Sequence, residues 1–389
     1  MKNFAFSIPV QIQFGSGISK QVGTLAGSLA VNENAISRRG VFVIIDPGIK
    51  ESAWLKDILV SIDQADLQIH LFDEIEPNPK DKNVYAAAEQ LLASHAGMVI
   101  GIGGGSTIDT AKAAALIAKH GGKVRNYAGW GKVPGPVMPI IAIPTTAGSG
   151  SEATSWAVIT DTASHQKLAI GDHNLDPTMA LVDPLLTISM PASVTAATGM
   201  DALSHSIEAY LCALSNPVND LIALESIRLV AGNLQRVVTN NSDLEGRQAM
   251  MLASTLGGIA INNADVAGVH CLSEGMGSLY DAPHGLLNAI LLPYFMRFWL
   301  SSCQDRFTRI AQAFGASPKP EEAVSAVVAV NQSLTLPVLA EIGVKWVDFP
   351  RLASLAESNV SNSSNPIPMT ASDYLGILEQ AMTGQLSKA

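Results

Sequence analysis

The stretch Met98-Val99-Ile100-Gly101-Ile102-Gly103-Gly104-Gly105-Ser106-Thr107-Ile108-Asp109-Thr110-Ala111-Lys112 decides how the first half of the chain is read. Its opening is a continuous apolar run of strand character, its middle a run of three glycines, and its end a helical pattern. Consecutive glycines let a backbone approach a phosphate closely, and a helix N-terminus supplies free N–H donors and positive potential. Ser106 or Thr107 is expected to cap that helix. The same residues also suit a tight strand–helix turn with no ligand. The loop is not the ordinary dinucleotide fingerprint, because Ser106 stands where a third spaced glycine belongs and no acidic residue follows about 20 positions on. A nucleoside-triphosphate loop is excluded, since no Gly-Lys-Ser/Thr follows the glycines.

Outward from this motif the pattern repeats. Apolar runs at 41–45, 67–72 and 139–143 read as further strands, with helical patterns at 82–95 and 107–120 between them. Strands separated by helices imply a parallel sheet covered on both faces. Asp46 ends the first run, where it can accept hydrogen bonds from an adenosine ribose and repel a 2′-phosphate, favouring NAD over NADP; its plain alternative is a polar strand terminus. After the last run comes Pro144-Thr145-Thr146-Ala147-Gly148-Ser149-Gly150-Ser151-Glu152, a second loop of hydroxyls and glycines suited to pyrophosphate or a carboxamide. Two such loops on successive strand ends make a nucleotide crevice the favoured reading. From about position 193 the texture becomes helical, with long patterns at 194–214, 219–238 and 244–261. The expectation is an α/β dinucleotide-binding domain over 1–188, Rossmann-like, followed by an all-α domain over 189–389. The segment 358–368, rich in Ser, Asn and Pro, is expected to be a surface loop.

Composition suits a compact globular protein. The 389 residues carry a net charge of −10, 48% hydrophobic and 15% charged residues, and no basic cluster. Nucleic acid is therefore not an expected partner. No apolar run reaches the roughly 18–20 residues needed to span a bilayer, and the first residues lack the apolar stretch of a signal peptide. Three scattered cysteines fit a reducing compartment. The cytoplasm is the expected location, with no membrane partner.

Eight histidines are present, and three fall in informative settings. Asp201 and His205 stand at i, i+4 in a helical pattern, so both reach one side of the helix. His270 and His284 are 14 residues apart; a straight helix would separate them by about 21 Å. They can meet only if the chain turns, and Asp281-Ala282-Pro283-His284-Gly285 is such a turn. Nitrogen and carboxylate donors suit Fe²⁺ or Zn²⁺. Against this stands the alternative of a structural Asp201 and three unrelated histidines. Glu208 shares the face of Asp201 and His205, as a partner orienting a histidine or as a surface ion pair.

These pieces, in this order, resemble the iron-containing (group III) alcohol dehydrogenases, the family that includes lactaldehyde reductase and 1,3-propanediol dehydrogenase. The resemblance runs from Phe14-Gly15-Ser16-Gly17 through Pro77-Asn78-Pro79, the two loops, and Asp201-Ala202-Leu203-Ser204-His205-Ser206-Ile207-Glu208-Ala209-Tyr210 to His270, Pro283-His284-Gly285 and Asn288-Ala289-Ile290. It implies a dehydroquinate synthase-like architecture and NAD-dependent hydride transfer between small alcohols and aldehydes or ketones, with a divalent cation as Lewis acid. It implies a metal set of Asp201, His205, His270 and His284, holding Fe²⁺, or Zn²⁺ or another divalent ion. It also implies a cofactor site lined by Asn78, Gly104, Gly105, Ser106, Asp109, Thr145, Thr146, Ser149 and Lys167, with Asp46 at the position associated with NAD preference. A homodimer, or a multiple of one, is implied as well. One departure stands out. Where family members commonly have a second histidine four residues after the third ligand, this chain has Glu274. That glutamate is expected to relay a proton, to add a carboxylate ligand, or to bind a cationic substrate group; its alternative is a helix-surface residue without chemical role. The rival readings are a metal-independent reductase resembling maleylacetate reductase and a non-catalytic nucleotide-binding relative.

Overall fold

The computed structural model describes residues 3–32 and 40–386. The chain divides into two compact units, one made of Ile8–Thr146 and Gly150–Ser189, the other of Met1–Ser7, Ala147–Ser149 and Met190–Ala389. Two short pieces of the expected 1–188 range thus group with the second unit.

Among the described residues the first unit has nine strands: β1 Gln11–Phe14, β2 Gly40–Ile45, β3 Gln68–Phe72, β4 Met98–Gly103, β5 Gly129–Trp130, β6 Ile140–Pro144, β7 Trp156–Asp161, β8 Gln166–Gly171 and β9 Met179–Val182. Its helices are α1 Val22–Asn32, α2 Ala53–Gln64, α3 Asp81–Ser94 and α4 Gly105–His120. Six strands form one sheet in the order β1-β9-β6-β4-β2-β3, with every pair parallel. Alternate side chains of the central strands feed opposite faces. Val41, Val43, Ile45, Ile100, Ile102, Ile141 and Ile143 pack with Leu55, Ile58 and Ile62 of α2 on one side. Phe42, Ile44 and Val99 pack with Leu91 of α3 and Ala111, Ala114 and Ala115 of α4 on the other.

Strands β5, β8 and β7 make a separate small sheet in which β7 and β8 pair antiparallel. The apolar-run reading finds β2, β3, β4 and β6 but not this hairpin, nor β1 and β9. The edge strand β1 is exposed at both ends, and Gln166 to Ala169 on β8 are exposed or half-buried, so neither shows the continuous apolar signature of a strand covered on both faces.

The second unit is helical: α5 Ala192–Leu211, α6 Pro217–Thr239, α7 Leu244–Asn263, α8 Gly268–Tyr280, α9 His284–Trp299, α10 Gln304–Ala313, α11 Pro320–Ser333, α12 Phe349–Glu357 and α13 Ala371–Thr383. Helix α5 is nearly all buried and packs against α6, α7 and α9. The segment 358–368 is not the surface loop expected of its composition. It contains a short 3-10 helix, Val360–Ser364, and buries Ser361, Ser364 and Asn365. Asn365 Oδ1 accepts from Gly268 N at 2.9 Å, closing the start of α8. Buried polar side chains persist where backbone amides need acceptors. Among the described residues no helix is long and apolar enough to cross a membrane.

Candidate metal centre and nucleotide loops

Helix α5 presents Asp201, His205 and Glu208 at i, i+4 and i+7, one face of a helix. Helix α8 carries His270 in its first turn, and α9 begins at His284. The chain reverses between them at Asp281, whose φ of 50° breaks α8, so the turn read from the sequence is present. Gly285 lets α9 start against α5: a methyl group there would lie 2.2 Å from the Ala197 carbonyl oxygen.

Three helices therefore converge. Asp201 Oδ1 lies 3.9 Å from His205 Nε2, 3.9 Å from His270 Nε2 and 3.8 Å from His284 Nε2. The ligand atoms of Asp201, His270 and His284 all fall within 4.8 Å of one another. His205 stands beside this triad, its ring stacked on His270 at a centroid distance of 4.6 Å. Tetrahedral donors on a bond of about 2.1 Å are roughly 3.4 Å apart, so the observed spacings are wider by a few tenths of an ångström. Asp201, His205 and His270 are buried, while the His284 side chain keeps 27% of its exposure.

The donor chemistry fits a cation. Lone pairs on Asp201 Oδ1, His270 Nε2 and His284 Nε2 meet at one amide nitrogen, Nδ2 of Asn288, at 2.8, 3.0 and 3.2 Å. An amide has two hydrogens, so it cannot serve three acceptors fully. Asn288 Oδ1 is buried with no hydrogen-bond partner. The sequence reading passed over Asn288 as a site residue, although it stands one turn after His284 on α9.

Electrostatics separate the histidines. Burial holds His205 below the usual imidazole range, outweighing the Asp201 carboxylate. Burial also depresses His270, but the Glu208 charge and hydrogen bond, with Asp201 and Glu274, outweigh it and raise that ring. Glu208 is fully buried and bonded to His270 Nδ1 and Val269 N, so the surface ion pair considered for it does not occur. Glu274, one turn beyond His270, is half-buried and accepts from Asn359 Nδ2 at 2.8 Å.

In the α/β unit, Asp46 follows β2, Gly104, Gly105 and Ser106 follow β4, and Thr145 and Thr146 follow β6. The chain leaves β2 for β3 on one side and returns to β4 on the other, so strand order reverses between β2 and β4, the place where open α/β sheets bind ligands. Asp46 follows β2 and accepts from Gly48 N at 2.7 Å. Gly104 is the residue before α4, and no side chain caps that helix. Ser106 and Thr107 lie inside its first turn and are not the caps expected of them. Thr107 N and Ile108 N donate to the Gly104 carbonyl, and no side chain competes with an outside acceptor for the amides before them.

Thr145 N donates to Gly103 O at 3.0 Å, and a methyl group on Gly104 would lie 3.2 Å from the Thr146 side chain. The two loops are therefore neighbours. Asp109 accepts from Ser151 Oγ at 2.5 Å and Val158 N at 3.0 Å, binding α4 to the second loop and β7. Lys112, unassigned in the sequence reading, is fully buried. It donates to the carbonyls of Ser151, Thr154 and Trp156 at 2.7, 2.7 and 2.8 Å, and burial pulls its ammonium down to about 8. Asn78 has a φ of 51° between β3 and α3. Lys167 lies on β8 opposite Thr160. Ser149 belongs to the helical unit, as does Gly148, whose carbonyl lies 3.3 Å from His205 Nδ1.

Residues 9–184 match the family model for iron-containing alcohol dehydrogenase, and residues 195–382 match the C-terminal model for the Fe-containing alcohol dehydrogenase family. The chain belongs to the iron-containing alcohol dehydrogenases. It is 36% identical over 385 residues to an NAD-dependent methanol dehydrogenase of Bacillus methanolicus, covering 97% of this chain and 99% of that one. It is 35% identical over 390 residues to a 1,3-propanediol dehydrogenase of Citrobacter freundii, covering 97% and 98%. The crystal structure of a 1,3-propanediol oxidoreductase superposes with a TM-score of 0.92 at 34% identity, covering 98% of this chain and 100% of that one. Membership fixes the fold expected from the sequence and makes the chain an oxidoreductase.

Proposed function

We propose that this iron-type dehydrogenase transfers hydride between NAD(H) and a small primary or secondary alcohol and its aldehyde or ketone. The observation that carries this reading is the convergence of Asp201, His270 and His284, with His205 beside them, on one acceptor-rich point. Those four residues would hold a divalent ion, iron by family, with Zn²⁺ also suited to the donors. A bound ion supplies Lewis acidity to an alcohol or carbonyl oxygen.

The chain's own residues do the rest. His284 is the least buried member of the set, so this side is the one left open to a substrate oxygen. The first turn of α4, with Gly104, Gly105 and Ser106, receives the pyrophosphate, and Thr145, Thr146, Asn78 and Lys167 complete the cofactor site in the α/β unit. Asp109 serves it indirectly, by holding the second loop. Asp46 takes the ribose hydroxyls and disfavours a 2′-phosphate. Glu274, within field of His270, accepts the alcohol proton. Relatives named for methanol and 1,3-propanediol support a short alcohol as substrate. We also place the enzyme in the cytoplasm as a homodimer or a multiple of one. The retained ligand set disfavours a metal-independent reductase.

The test is anaerobic NAD⁺ reduction with short alcohols and diols, before and after chelation, with Fe²⁺ or Zn²⁺ added back. Activity lost on chelation and restored by one ion is the expected result. Activity indifferent to chelation would overturn the metal-dependent reading.

A further inference from the structure

We propose that Glu208 is a positioning residue that sets the tautomer of His270, and that the position requires a carboxylate rather than any hydrogen-bonding group of that size. The proposal rests on the reading of Asp201, His205, His270 and His284 as a metal site.

Glu208 has no exposed surface, yet both of its oxygens are used. Oε1 accepts from Val269 N at 2.8 Å, and Oε2 bonds His270 Nδ1. From α5 its carboxylate meets the start of α8, where orphan backbone donors and the helix dipole stabilise a negative charge. An ionised carboxylate can only accept, so Nδ1 of His270 must carry the proton. In a neutral imidazole the lone pair then belongs to Nε2. That atom is the one turned to the site, 3.9 Å from Asp201 Oδ1 and 3.0 Å from the Asn288 amide nitrogen, which donates to it. Opposite ends of the ring thus call for the same tautomer.

The backbone amide of Val269 makes the arrangement directional, because it is a donor that cannot reverse. Glutamine at position 208 would keep the shape, but its carbonyl oxygen must serve Val269 N–H. Its NH₂ group would then face His270 Nδ1 and turn that nitrogen into an acceptor. The ring proton would move to Nε2 and point where the cation binds. The reversed amide would set two donors against each other in a buried place, which costs about 1–3 kcal/mol. Alanine removes the acceptor without imposing the wrong tautomer. A mere spacer would tolerate glutamine better than alanine; a tautomer-setting carboxylate gives the opposite order.

Wild type, Glu208→Gln and Glu208→Ala, each full length and stripped by chelation, are titrated with Zn²⁺ against a competing chromophoric chelator. Histidine-¹⁵N spectra of the metal-free chains report which ring nitrogen of His270 is protonated, and thermal melts report folding. The expected result is Nδ1–H in the wild type, Nε2–H in Glu208→Gln, and Zn²⁺ affinity falling by about 100-fold in Glu208→Gln, the upper end for losing an outer partner of a metal-binding histidine. Glu208→Ala should lose less. Wild-type affinity in Glu208→Gln, or Nε2–H in the wild type, would overturn the proposal while leaving the metal reading intact. Should Glu208→Gln not fold, the wild-type spectrum alone decides. A wild-type chain that takes up no Zn²⁺ or Fe²⁺ would instead overturn the metal reading, with the tautomer still read directly.

Discussion

The glycine turn at Gly103–Gly105 and the histidine cluster at Asp201–His284 are built on opposite principles. The first is backbone chemistry, in which consecutive residues at a strand–helix turn offer amides, and the neighbouring loop comes from the next strand in the sheet, its Thr145 N bonded to Gly103 O. The second is side-chain chemistry, in which α5, α8 and α9 bring Asp201, His205, His270 and His284 together while Glu208 and Asn288 hold the rings. Asn365 and Glu208 occupy the first amides of α8, so the helix start that would otherwise attract an anion instead anchors a histidine. At α4 no side chain does this. The same helix-end physics thus leaves the start of α4 without a side-chain cap and makes the start of α8 part of a scaffold.

The contrast can be broken most sharply at His284. His284 is partly exposed, so on the proposed reading His284→Ala should leave the fold intact while metal retention fails and turnover falls about 10³-fold or more, the several kcal/mol of Lewis-acid stabilisation converted to rate. Metal analysis and NAD⁺ calorimetry on the same sample check it. NAD⁺ affinity falling in step with metal content would mean the two sites are not separable in this way. Next comes Glu274, where Ala should lower kcat about 10²-fold with KM little changed, and added formate should restore part of the rate. Unaltered kcat would return Glu274 to a residue of the helix surface. The smallest effect is expected at Asp46. Asp46→Gly should shift the NADP-to-NAD ratio of kcat/KM by about tenfold, or ~1.4 kcal/mol, without touching metal content. An unchanged ratio would remove Asp46 from cofactor choice.

The two sites were also unequally legible. Gly103-Gly104-Gly105 and the 144–152 loop were legible as turns because glycines and hydroxyls at a strand end are written in adjacent residues. The caps were misjudged there: α4 starts at Gly105, and the side chains of Ser106 and Thr107 fall inside its first turn. Lys112 was invisible because a lysine inside a helical pattern reads as solvated, whereas this one is surrounded by carbonyls from 151–156. In the helical unit, Asp201 and His205 were legible from i, i+4 spacing, and the turn before His284 from its Asp and Pro. Asn288, Glu208 and the buried 358–368 segment were not, since their partners lie far off in sequence.

Sequence alone therefore determined the layering of the α/β unit, the change to helices near 193, and the residue types able to hold a cation. Period and turn chemistry are local properties, and they are written in neighbouring residues. Tertiary structure decided which lone pairs meet, which ring nitrogen is turned toward Asp201, and which carboxylate is buried against it. Those depend on how α5, α8 and α9 pack, and at this site packing brings together side chains 87 positions apart, Asp201 and Asn288.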